Sequence, residues 1–291
     1  MTTPPIEVVA YPGREGAHTY QAAEALWPDA QLRSLPSFRA VADAVAGGEV
    51  DAGVLPMESS LVGPVPETHD LLFESPLSVI GQIVLPIEHC LAGPQEVAIE
   101  EIKTIHSHPM ALDQCRELLA SLPNAVAVAA ATTATAAQEV AERGDPTHAA
   151  IASPRAARLY GLEILQDGIG DHPEAFTRFV SVATYTRLDR DGENFRTALS
   201  FVTDHRAGAL FHALGVFSAF DIDLVQLVSR PIPQTPFSHR FDAVLRGHPL
   251  DDNVSRALET LRLQTRRVLV FGSYPVDATD VVETGGALAD S

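Results

Sequence analysis

The sequence predicts two α/β lobes facing one another across a cleft, followed by a smaller α+β unit. Three observations carry this expectation. From the N-terminus to Tyr185, short apolar runs alternate with helical patterns. Within that region ADAVAGGEVDAGVLP and AQEVAERGDPTHAAIAS share one grammar: a helix, a glycine stop, a turn, and a strand of small apolar residues ending at Pro56 or Ser153. Beyond TRLDRDGENFR (186–196), charged and glycine-bearing like a linker, the pattern changes to strand, helix, strand, strand, helix, strand. With 291 residues, 46% of them hydrophobic, the chain can bury substantial cores in two domains.

Taken in order, IEVVAY is apolar and β-branched enough for a strand, and GREGAHTYQAAEALW reads as a glycine turn entering a helix. FRAVADAVAGG is a helix stopped by Gly47 and Gly48, DAGVLP a short strand, and LSVIGQIVLPIEHCLAG contains further strand. After TIHS comes the helix PMALDQCRELLASL, then VAVAA as strand, TTATAAQEVAERG as helix and AAIAS as strand. The alternation predicts mainly parallel sheets, with ligands bound beyond the carboxyl ends of the strands. That points to Pro56–Gly63 in one lobe and to Ser153 onward in the other. EAFTRFVSVATY, rich in Phe, Val and Thr, closes the region as a strand. In the C-terminal unit TALSFVT, DIDLVQLVS, SHRFDAVLRG and RRVLVFGSYP read as strands, and GALFHALGVFSAF and LDDNVSRALETLRL as helices. That βαββαβ order is ferredoxin-like. The acidic, glycine-bearing tail VDATDVVETGGALADS is expected to be disordered.

Charge and cysteine content exclude several classes. A formal net charge of −18 argues against nucleic acid and anionic membranes as partners. No apolar run approaches the ~18 residues that a membrane span needs. MTTPPIEVVAYPG lacks the basic-then-apolar order of a secretory signal, and Cys90 and Cys115 are the only cysteines, so a reducing cytoplasmic compartment is expected. Lys103 is the only lysine, so cationic work falls to arginine, whose planar fork suits carboxylates.

The candidate site residues cluster at the predicted strand ends. Gly13 and Gly16 lie between a strand and a helix, where free N–H groups bind anions; the spacing is not that of a dinucleotide fingerprint. Glu58, Ser59 and Ser60 follow a strand end, with Gly63 closing the turn. Glu58 reads as a loop organiser, and one of the serines as a ligand contact. Ser107 is a candidate cap for the helix after it, and Thr132 and Thr133 open another helix where their hydroxyls can cap or hold a carboxylate. His106 and His108 lie two apart, but Pro109 ends the extended run at once and no third ligand is suitably spaced, so no metal is expected. Arg178 stands inside a half-buried strand between Thr177 and Phe179, and an arginine so placed calls for an anionic partner. One cleft with hydroxyls, helix starts and an arginine suits a small carboxylic acid.

Several stretches, in order, resemble the prephenate dehydratase family, including its arogenate dehydratase relatives. They are AYPGREGAHTYQAA, GVLPMESSLVGPV, IVLPIEHCL, HSHPMALDQC, AAIASPRAARLYGLEIL and, most specifically, FTRF. Ser59 and Phe176 stand where the family usually has Asn. The resemblance implies a two-lobed, periplasmic-binding-protein-like catalytic domain over 1–186 and an ACT regulatory domain over 196–275, leaving 276–291 as the tail. It implies loss of water and CO2 from prephenate, giving phenylpyruvate in phenylalanine biosynthesis, with no cofactor because aromatisation drives the step. Under it Thr177, Arg178 and Phe179 are catalytic: Arg178 holds a substrate carboxylate, and Thr177 addresses the departing ring hydroxyl. Because neighbours on a strand point to opposite faces, a bulge or strand end is expected at this pair. Gly13, Gly16, Ser59, Ser60, Ser107, Thr132 and Thr133 are the expected substrate-binding residues. Gly208, Ala209, Leu210, Ser229, Arg230 and Pro231 are expected to hold phenylalanine as effector in a homo-oligomer, with Val228 replacing the glutamate of the family's regulatory motif. No mutase domain precedes the lobes, so chorismate mutase activity is not expected. Arogenate as substrate, and a non-catalytic two-lobed ligand sensor, are the alternatives.

Overall fold

The structure is a computed structural model that describes residues 4–276 apart from 96, 173, 188–193, 233–234 and 236–237. Most of the expected linker and, apart from Val276, the expected tail lie outside the described residues. The first lobe contains β1 (Val8–Pro12), α1 (His18–Leu26), β2 (Gln31–Leu35), α2 (Phe38–Ala46), β3 (Ala52–Ser59), β4 (Gly63–Pro64), α3 (Pro66–Glu74) and β5 (Ser78–Pro86). The second contains β6 (Cys90–Gly93), a 3-10 turn at Ile99–Glu101, β7 (Thr104–Ser107), α4 (Pro109–Asp113), α5 (Arg116–Ser121) and β8 (Val126–Ala129). It continues with α6 (Thr133–Arg143), β9 (His148–Ala152), α7 (Pro154–Leu159) and β10 (Glu163–Gln166). The chain then returns to the first lobe as β11 (Phe176–Ala183). The C-terminal unit is β12 (Phe195–Val202), α8 (Ala209–Ala219), β13 (Leu224–Pro231), β14 (His239–Arg246), α9 (Asp252–Gln264) and β15 (Arg267–Pro275).

Each unit has its own sheet. The first has the order β2-β1-β3-β11-β5, with β4 paired to β3; the second is β10-β6-β9-β7-β8; the third is β13-β14-β12-β15. The expectation of mainly parallel sheets needs correction. β1 runs parallel to β2 and β3, but β11 is antiparallel to both its neighbours. In the second lobe β6 is likewise antiparallel to β9 and β10. The antiparallel strands are those that carry the chain between lobes, a role the local patterns do not reveal. β2 and α3 were not read in the sequence either, because QLRSL is half polar and PETHDLLFE has weak helical periodicity.

Local chemistry explains the helix boundaries that frame the cleft. Ser37 caps α2 by accepting from the Ala40 N–H, Thr132 caps α6 by accepting from Thr135, and Ser153 caps α7 by accepting from Ala156. Gly144, at φ 65°, ends α6 in the left-handed conformation. Small residues set close packing: Ala134, Ala136, Ala137 and Val140 of α6 share a core with Ala150 and Ala152 of β9.

The third sheet packs directly on the first lobe. Ala198, Val244, Phe271 and Tyr274 join Leu55, Met57, Val79 and Val180 in one core. β15 approaches so closely that a Cβ at Gly272 would lie 2.2 Å from the Val79 carbonyl oxygen of β5. An ionic network accompanies this contact. Asp70 of α3 accepts from Arg230 at 2.6 Å and from Arg240 at 2.7 Å, Arg240 also binds Asp242 at 3.1 Å, and His69 meets Asp242 at 3.2 Å.

Candidate active site

Between the two lobes lies a cavity of about 710 Å³. The β1–α1 turn supplies Gly13 and Arg14, and α1 supplies His18 and Thr19. β2 supplies Ser34, the β2–α2 turn Ser37, and β3 Ser59. The second lobe contributes His89, His108, Met110, Gln114, Thr132 and Thr133. β11 supplies Thr177 and Phe179. The lobes are tied along one side: Arg14 donates to Gln138 at 2.8 Å, Tyr160 to the Glu15 carbonyl at 2.9 Å, and Arg155 pairs with Glu24 at 2.6 Å.

Of the residues expected from sequence, this cavity brings together Gly13, Ser59, Thr132, Thr133, Thr177 and Phe179. Gly16 lies outside it, where a Cβ would press on Ala156 and Leu159 of α7, so its role is close packing between the lobes. The Ser60 hydroxyl accepts from the Phe176 N–H at 2.9 Å, which pins the loop after β3 to the start of β11. Ser107 is fully buried and donates to the Ile151 carbonyl at 2.7 Å. The cap of α4 is instead His108, which accepts from the Met110 N–H at 3.2 Å. Here Pro109 is the first helical residue, which puts the capping position one residue later than the serine.

Arg178 also lies outside the cavity lining and forms an ion pair with Glu58. The β3–β11 register explains why. Arg178 faces Glu58 and Phe179 faces Pro56, so a bulge passes over Met57. Thr177 then faces Ser59, and alternation along β11 places Thr177 and Phe179 in the cleft wall with Arg178 behind it. Among the described residues none takes up the Thr177 hydroxyl.

The site is electrostatically simple. Burial, followed by the neighbouring charge of His89, pushes His18 down to about 4; burial also lowers His89 and His108. These imidazoles are therefore neutral at neutral pH. Arg14, absent from the sequence-based expectation, is the only Lys or Arg side chain in the lining among the described residues. Its place in a glycine turn at a helix start was the available signal. No side chain caps α1, so its first backbone N–H groups face the same region.

A second cavity, of about 790 Å³, lies in the C-terminal unit. Ala209, Leu210 and Ser229 line it together with Arg206, His239 and Phe241. Gly208, at φ 79°, caps α8 beside it. Arg230 and Pro231 do not line it: Arg230 points to the opposite face of the sheet, onto Asp70, and the Pro231 carbonyl accepts from Arg240. Strand alternation separates Ser229 from Arg230.

The sequence profile of one family, Prephenate dehydratase, matches residues 9–187. A relative called arogenate dehydratase/prephenate dehydratase 2, chloroplastic, of Arabidopsis thaliana is 34% identical over 93% of this chain and 73% of its own length. Among solved structures, the prephenate dehydratase of Arthrobacter aurescens in complex with L-Phe superposes with a TM-score of 0.84 at 30% identity, covering 92% of this chain and 90% of that one. GqqA, described as a novel type of quorum quenching acylase, superposes with a TM-score of 0.84 at 31% identity, covering 94% and 99%. A profile spanning both lobes, relatives aligned over nearly the whole chain, and a Thr-Arg-Phe stretch whose threonine stands in the cleft agree on one conclusion: this chain belongs to the prephenate dehydratase family.

Proposed function

We propose that the protein is a carbon–oxygen lyase that converts prephenate to phenylpyruvate, water and CO2. The observation that carries this reading is Thr177, presented by β11 into the interlobe cavity beside the aromatic wall of Phe179. Prephenate carries two carboxylates, an apolar ring and a hydroxyl at the ring carbon opposite the quaternary centre. Leu35, Phe38, Ile87, Met110 and Phe179 offer apolar contact to the ring. Arg14 and the starts of α1 and α6 offer the positive potential that the carboxylates need. As the bond to the ring carboxylate breaks, its electron pair enters the ring and the C–O bond to the hydroxyl breaks. The departing oxygen takes up a proton and leaves as water. Thr177 stabilises that oxygen by hydrogen bonding as charge develops on it. Acyl transfer fits the lining less well, because His89 and His108 are bonded to Gln114 and to the Met110 backbone rather than to a hydroxyl.

The test is phenylpyruvate formation from prephenate, with and without chelator. Thr177→Ala should lower kcat by about 10²–10³, the usual cost of losing one donor to a developing oxyanion. A wild type that ignores prephenate but forms phenylalanine from arogenate would move the substrate to the amino analogue. Turnover of neither would remove the enzyme reading.

The C-terminal unit serves in this reading as an ACT domain. The second cavity would take phenylalanine against Ala209, Leu210 and Ser229, in a cytoplasmic homo-oligomer. Calorimetric titration with phenylalanine should give saturable binding that Ser229→Phe abolishes, and a flat trace with the wild type would exclude this effector.

A further inference from the structure

Arg178 and Glu58 occupy an unusual position for two charges in a substrate-binding wall. Their side chains retain 17% and 28% exposure and they pair across neighbouring strands, on the face of the first sheet turned away from the cleft. The Arg178 Nε is buried without a hydrogen-bond partner, out of reach of a solute. Tyr274 of β15 belongs to the core on this same face and is 2% exposed. Burial pushes its hydroxyl up to about 12, against the opposing charges of Arg178 and Arg196 and with the help of Glu58, so it remains a neutral phenol. A residue of the C-terminal sheet therefore closes off the back of the catalytic strand.

We propose that Arg178 is a positioning residue, which together with Glu58 and Tyr274 fixes the register of β3 on β11 and so aims Thr177 and Ser59 into the cleft. The proposal rests on the dehydratase reading of the site. The bulge at Met57 is the central observation. Without it Arg178 would face Met57 and Thr177 would face Glu58; with it Glu58 faces Arg178 and Ser59 faces Thr177. The ion pair can form directly across the strands only in the bulged register, so it selects that register over the one-residue slip. The slip would bring Glu58 opposite Thr177. A carboxylate there would repel an anionic substrate and displace the hydroxyl that must meet the leaving oxygen. Ser60, bonded to Phe176, holds the same junction from the loop side.

This role separates from direct substrate binding by comparing affinity with turnover. In an inactive Thr177→Ala background, calorimetric titration with prephenate should give the same Kd within about threefold with or without Arg178→Gln. In the otherwise wild-type chain, Arg178→Gln and Glu58→Gln should each lower kcat by about 10–100-fold with little change in KM, the usual penalty for a misplaced reacting group. The double variant should be no worse than the worse single one, because each removes the same pair. Tyr274→Phe should lower kcat by about threefold or more, again at constant KM. An increase in Kd of about tenfold or more on Arg178→Gln would overturn the proposal and make Arg178 a carboxylate ligand. Additive losses in the double variant would overturn the pairing, and an unchanged kcat in Tyr274→Phe would remove Tyr274 from it. Should Arg178→Gln fail to fold, Arg178→Lys in both backgrounds makes the same comparison. Absence of wild-type turnover would be a failure of the dehydratase reading; wild-type turnover with a raised Kd is a failure of this proposal alone.

Discussion

His18 shows what a single side chain contributes beyond its place in a motif. Burial and His89 lower it from 6.5 to about 4, so between those values the unfolded chain binds a proton that the folded chain does not. The contribution of His18 to stability is therefore full above about pH 6.5 and is lost as the pH drops toward 4. His89, His106 and His108 are lowered in the same sense. The midpoint of urea unfolding should thus fall between pH 7 and pH 4.5, and the fall should be smaller in His18→Gln. An equal fall in that variant would show that His18 does not contribute. Of the site itself, Thr177 was legible from its motif and Thr132 from its capping position. Arg178 was legible as a residue in need of an anion. That the anion is Glu58 was not legible, because one bulge decides which residue of β3 stands opposite it.

At the scale of elements, the environment of β15 departs from its local pattern. RRVLVFGSYP reads as an ordinary strand. In the structure Gly272 adopts φ 144° and admits the backbone of β5 where a side chain would collide. Gly272→Ala should destabilise the fold by at least about 1–3 kcal/mol, the range for forced overpacking. Chemical denaturation would measure it, and a loss below about 0.5 kcal/mol would show that β15 can retreat from β5 cheaply. β11 shows the same dependence on context. Its composition announces a strand, but only its seat between β3 and β5 makes it the crossing strand that exposes Thr177 to the cleft.

Across the whole molecule, α3 links the catalytic lobe to the C-terminal sheet. Thr68 donates to the Pro56 carbonyl at 2.6 Å, near the Met57 bulge, and Asp70, two residues further along α3, holds Arg230 and Arg240. Burial works against the charge on Asp70, but the hydrogen bonds from Arg230 and Arg240 prevail and hold it below the usual carboxylate range. Its contribution is present at neutral pH and is lost as the pH falls through that depressed value. Arg240, fully buried, also covers the Phe73 ring at 4.3 Å. Arg240→Met would leave Asp242 buried with only His69 as partner, at a cost of about 3–5 kcal/mol. The expected signature is a lower denaturation midpoint accompanied by easier proteolysis between the catalytic lobe and the C-terminal unit. An unchanged midpoint would mean that Arg240 contributes nothing to holding the units together.

The sequence by itself determined the α/β character of the lobes, the βαββαβ order of the C-terminal unit, the helix cap at Thr132, and the need of Arg178 for an anionic partner. These depend on periodicity, capping and residue chemistry within a few positions of one another. Tertiary structure alone decided strand direction within the sheets, the exclusion of Gly16, Ser60, Ser107 and Arg178 from the cavity, and the inclusion of Arg14 and His18. It also decided that Arg230 faces α3 rather than the second cavity. For Arg178 and Arg230 the physical reason is shared: which face of a strand meets solvent, cleft or another sheet is set by register against a distant partner, and a one-residue change in register reverses it; for the turn and helix residues it is packing against the other lobe, equally remote in sequence.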